Sequence, residues 1–123
     1  MIIKRNLLAL TASLVLAAAA GLSPSGVDAA DYFEGKSITL IVPNSPSGRM
    51  SRYAQMIAPF IEKHSGADIV RIENMRGAGG LKGTNYLWHQ KADGTVIAFT
   101  SVPTLILAQL AGSEGVQFDA TEF

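Results

Sequence analysis

From Ile38 to Val42 every side chain is apolar or β-branched, with Gly35 and Lys36 before the run and Pro43 after it. A short run without alternation predicts a strand covered on both faces. Turn formers crowd the next six positions, and then Tyr53, Ile57, Phe60 and Ile61 recur at helical spacing until Ser65 and Gly66. The helix so predicted contains Pro59, which cannot donate to the Gln55 carbonyl and predicts a kink. Ile69 to Glu73 reads as a second strand, and Leu81 to about Gln90 as a second helix. A turn at Ala92, Asp93 and Gly94 leads into a third strand over 95–100. Leu105 to Leu110 supply a third helix, with Ser101 as its cap. Strand and helix alternating over short connections predict an α/β fold, a parallel sheet with flanking helices.

Chemistry enters where the second strand gives way to the second helix, at Arg76, Gly77, Ala78, Gly79 and Gly80. Glycines there allow positive φ and close approach of a ligand, while the first N–H groups of the helix point outward with the positive end of its dipole. The same glycines would serve equally as plain turn chemistry, so the run alone does not choose between the two. Open parallel sheets bind ligands beyond the carboxyl ends of their strands. Three loops qualify by that rule: 43–51, 74–80 and 100–104, all rich in hydroxyls, glycine or main-chain N–H groups. Thr100 and Ser101 are the candidates in the third.

The start of the chain changes the compartment. Lys4 and Arg5 precede an almost wholly apolar stretch from Leu7 to Leu22, and Val27, Asp28 and Ala29 offer small residues for a signal peptidase. An export signal cleaved after Ala29 is expected, leaving residues 30–123 as the exported part in the periplasm, without a stable membrane anchor. The apolar stretch is shorter than the roughly 20 residues a spanning helix needs. The chain contains no cysteine, so no disulfide supports it in an oxidising compartment and no lipid can be attached after cleavage. Of ten basic and ten acidic residues, Lys4, Arg5 and Asp28 fall in the leader, leaving eight and nine. That balance gives no strong field for nucleic acid or anionic lipid, and points to a small partner.

With these residues in place, the chain resembles the tripartite tricarboxylate transporter substrate-binding proteins, the TctC or Bug family. The motifs are Gly35-Lys36-Ser37-Ile38-Thr39-Leu40-Ile41-Val42-Pro43 with its Pro-Ser-Gly loop, Ile72 to Leu81 around the glycine run, and Ala92-Asp93-Gly94-Thr95. Together they span nearly all of 30–123. The resemblance implies a two-lobed periplasmic binding protein closing on a small organic anion, of di- or tricarboxylate type, which is handed to a membrane permease without catalysis or cofactor. It implies that Pro43, Asn44, Ser45, Ser47, Gly48, Arg49 and Ser51 of the first loop, with Ala78, Gly79 and Gly80, grip a carboxylate. It also implies that the present chain is a partial first lobe with the second absent, exposing sheet edges and apolar surface. The first loop departs from the family, which carries consecutive glycines and often an Asp there. Arg49 is expected to supply a fork for a second carboxylate, and Ser51 to replace an acidic group suited to an amino ligand.

Other chemistries find less support. His64 and His89 are the two histidines, and neither has metal-ligand spacing to a second donor. A secreted α/β hydrolase fragment is the enzyme alternative, but no Gly-x-Ser-x-Gly elbow accompanies Ser45, Ser47 or Ser51. A non-functional gene fragment is the other alternative. A dinucleotide fingerprint would need a glycine at 82, where Lys82 stands. Tyr86, Leu87 and Trp88 are expected to pack against the sheet.

Overall fold

The computed structural model describes residues 32–123; the leader and its cleavage point lie outside the described residues. The elements follow the order β1 (Ser37–Val42), α1 (Arg49–Ser65), β2 (Ile69–Asn74), α2 (Leu81–Trp88), β3 (Val96–Ala98) and α3 (Val102–Leu110). The three strands form one parallel sheet in the order β2-β1-β3. Val42 is level with Asn74 and Ile41 with Ala98, so the carboxyl ends of all three strands share one rim. Among the described residues no helix is long and apolar enough to cross a membrane.

The two faces of β1 explain why its sequence does not alternate. Ile38, Leu40 and Val42 face α1, whose buried Ala54 and Ala58 let the helix backbone come close, with Val70 and Ala67 completing the cluster. Ile41, between them, is fully buried on the other side. A second cluster joins α2 to the end of the chain: Leu81, Leu105 and Phe118 are buried, with Trp88, Ala108 and Val116 against them. Trp88 meets Phe123 edge to face at 5.3 Å. Tyr86 departs from expectation and is exposed, since at its place on α2 it turns away from both clusters.

Boundaries differ from the sequence reading for local reasons. Helix α1 begins at Arg49, earlier than the apolar spacing indicates, and runs as one element through Pro59, ending at Gly66 with φ 75°. Gln55 and Pro59 are both exposed, so water can serve the carbonyl that Pro59 leaves unbonded. Strand β3 is shorter than the predicted 95–100, although Thr39 N–H still donates to the Thr95 carbonyl at 2.8 Å and Phe99 N–H to the Ile41 carbonyl at 2.9 Å. Helix α3 starts three residues early because Pro103 fits a first turn, where its missing N–H costs nothing. One further detail closes the outer edge: Glu62, near the end of α1, accepts the Val70 N–H on its Oε2 at 3.0 Å.

Two aspartates pin turns. Thr95 donates to Asp93 Oδ1 from its hydroxyl at 2.6 Å and its N–H at 2.9 Å, and these bonds lower the Asp93 pKa. Asp119 is lowered in the same way by the Thr121 N–H (2.9 Å), then by its hydroxyl (2.7 Å) and Gln109 (3.2 Å). A carboxyl whose folded pKa lies below its unfolded value contributes stability fully above the unfolded value, and loses it as pH falls through the folded one. The urea midpoint is therefore expected to stay level from about pH 7 to about pH 5 and to fall below about pH 4. Asp93→Asn with Asp119→Asn should flatten part of that acid limb; an unchanged limb would show that these turns do not contribute.

Candidate functional site

With the order β2-β1-β3, the chain leaves β1 towards one side of the sheet and arrives at β3 on the other. The crevice between the ends of β1 and β3 is thus the point where the connections diverge, the place where open α/β sheets bind ligands. A pocket of about 210 Å³ lies there, lined by Pro43, Asn44, Gly79, Gly80, Thr100, Ser101, Thr104 and Leu105. All three loops singled out from the sequence contribute to its wall.

The glycine loop takes a left-handed turn. Gly77 has φ 144°, Ala78 46°, Gly79 65° and Gly80 103°, and the Gly80 N–H closes the turn on the Gly77 carbonyl at 2.9 Å. Glycine meets the need for positive φ at three of these positions, and Ala78 holds it at a cost of about 1 kcal/mol. Among the described residues, the N–H groups of Ala78 and Gly79 donate to no acceptor within the protein. The turn is anchored below by Thr84, almost fully buried, whose hydroxyl donates to the Gly80 carbonyl at 3.1 Å. Gly83 fits against the first loop and the end of β2: a Cβ there would sit 2.9 Å from Pro43 Cβ and 3.1 Å from the Met75 carbonyl oxygen.

On the opposite wall, Ser101 stands at the N-cap of α3 but does not cap a main-chain N–H with its side chain. Its Oγ accepts the Thr104 hydroxyl at 3.0 Å. Its own proton is left to donate into the pocket, because a hydroxyl can accept and donate together. Among the described residues no charged side chain lines the pocket. What the walls offer is neutral: two glycine residues, the Asn44 amide and the hydroxyls of Thr100, Ser101 and Thr104.

The first loop divides into two parts. Pro43 and Asn44 line the pocket, whereas Ser45, Ser47 and Gly48 lie beyond its wall. Ser51, expected to face the ligand, is fully buried. Its hydroxyl donates to the Ser45 carbonyl at 2.7 Å and accepts from Asn74 Nδ2 at 2.6 Å, while that same amide donates to the Asn44 carbonyl at 3.0 Å. Ser51 is therefore a support under the loop, and both of its hydrogen-bonding roles are taken. Arg49 does not line the pocket either; it borders a separate notch with Arg52, Tyr53 and Met56.

Gly83 was not singled out from the sequence, and Asn74 and Thr104 entered it only as bounds of two candidate loops. Thr104 was within reach, since it ends the third loop and follows Ser101 by one helical turn. Asn74 and Gly83 act through partners fixed by strand register and helix packing, which have no local signal. Elsewhere, a larger cleft of about 550 Å³ runs between the end of β2 and the outer face of α2, past Arg76, Lys82 and His89. It is lined by Asn74, Met75 and Arg76 of the second loop but by none of the residues expected to hold the carboxylate, and His89 Nε2 lies 3.1 Å from Gln117 Oε1 there. Comparisons with models of protein families, with curated proteins and with solved structures give no match.

Proposed function

We propose that the chain carries part of an exported receptor for a small organic carboxylate, of the kind that serves tripartite tricarboxylate transporters, and that it performs no catalysis. The observation that carries this reading is the pocket at the ends of β1 and β3, where neutral donors from three loops converge without a charged group. Ala78, expected to grip the carboxylate, does not line the pocket, and the Gly80 N–H is bonded to Gly77, so a carboxylate placed there would accept from the Gly79 N–H and from the Ser101 hydroxyl. Charge-assisted bonds of this type are short and about twice as strong as neutral ones, and a wall of neutral donors avoids part of the desolvation cost of a buried ion pair. The pocket takes one carboxylate head rather than several, and Arg49 lies outside it. The resemblance of the sequence motifs supplies the transporter class, the periplasmic setting and the permease as eventual recipient.

Calorimetric titration with acetate, succinate and citrate tests the reading. Saturable heat with at least one of them is expected, and Ser101→Ala with Thr104→Val should weaken it by about tenfold, the equivalent of about 1.4 kcal/mol. Absence of saturable binding by all three, from protein with a cooperative thermal transition, would refute the proposal.

A further inference from the structure

Helix α1 has two apolar faces, and the fold uses one. Ala54, Ala58, Ile57 and Ile61 face the sheet. On the opposite side Tyr53, Met56 and Phe60 follow one another at i, i+3 and i+7, and are 55%, 66% and 66% exposed. Arg49 and Arg52 extend the same row at its amino end and Lys63 at its carboxyl end, all of them exposed. At about 100° per residue these six positions fall within a third of the helix circumference. The one acidic residue of α1, Glu62, lies off this row with its carboxylate bonded to Val70.

A surface-facing row on a sheet-packed helix is ordinarily polar. Here it combines tyrosine, phenylalanine, methionine and arginine, the residue types enriched at protein interfaces. Its charge is of one sign. Between Arg49, Arg52, Tyr53 and Met56 the surface dips into a notch of about 280 Å³, large enough to receive a side chain. We infer that this row is a docking surface for a protein partner presenting an amphipathic helix, with an apolar ridge seated on Tyr53, Met56 and Phe60 and acidic side chains against Arg49 and Arg52. A second copy of the chain would bring like charges together. A flat membrane surface would leave the notch unfilled. The surface lies apart from the carboxylate pocket, so the inference stands whether or not that proposal holds.

The test uses a fluorescein-labelled helical peptide of matching length, with leucine along one face and glutamate on both flanks, and a twin carrying lysine in place of glutamate. Anisotropy titrations should show the acidic peptide binding about tenfold or more tighter than its twin, with affinity falling as salt is added. Arg49→Glu with Arg52→Glu should reverse the order, and Phe60→Ser should weaken both. All three changes are on the exposed row, and an unchanged thermal midpoint would confirm that the fold is intact. Equal binding of the two peptides, or none, would overturn the inference. So would dimerisation in sedimentation experiments that Phe60→Ser abolishes, or binding to anionic lipid vesicles that exceeds binding to the acidic peptide.

Discussion

Gly83→Ala is expected to destabilise the protein by about 1–3 kcal/mol, although alanine is the better helix former by about 1 kcal/mol. The added methyl would stand 2.9 Å from Pro43 Cβ, 3.1 Å from the Met75 carbonyl oxygen and 3.2 Å from Met75 Cβ. One of those atoms is backbone, so relief requires α2 to move away from the ends of β1 and β2 as a unit. Each kcal/mol lost should lower the thermal midpoint by roughly 4–8 °C in a domain of this size. Because the two effects have opposite signs, the direction alone is decisive: a rise in midpoint would mean that the junction is looser than described. The movement would also carry the glycine turn away from Pro43 and Asn44, so carboxylate binding should weaken in the same variant.

Ser51→Ala is expected to cost about 1–3 kcal/mol, the penalty for leaving buried polar groups without partners. Ser51 is fully buried, and the substitution strands one proton of the Asn74 amide and leaves the Ser45 carbonyl with the Gly48 N–H alone. Thermal midpoints of Ser51→Ala, Asn74→Ala and the double variant would measure the effect. The double variant should lose less than the sum of the singles, because the hydroxyl and the amide serve one another. Strict additivity would show that the two do not act together. A change in carboxylate affinity out of proportion to stability would identify the pair as what holds the first loop in shape.

The α/β class was legible in the sequence because β1 is apolar on both faces and each strand is followed by a helical pattern over a short connection. The three loops of the pocket were legible for the same reason: once strands and helices alternate, the site must fall at the strand ends. What could not be read was which loop residues face inward. Ser45, Ser47 and Ser51 look alike along the chain, yet Ser51 is turned under the loop by Asn74, a partner 23 positions away. Arg49 invited a ligand role by its position in the loop, but it begins α1 on the side away from the pocket. The strand order is equally silent in the sequence, since β2 and β3 are both edges and nothing local says on which side of β1 each will lie.

The bond between Glu62 and Val70 has a bearing on how the sheet can grow. It takes up an outward N–H at the start of β2, where an incoming strand would begin to pair, and one edge of the sheet is thereby guarded by its own helix. Among the described residues no side chain accepts an N–H of β3, and in α3, which follows it, Val102, Ile106, Leu107 and Leu110 lie exposed. By contrast, a strand added along β2 would have to displace the Glu62 carboxylate before its first main-chain bond could form.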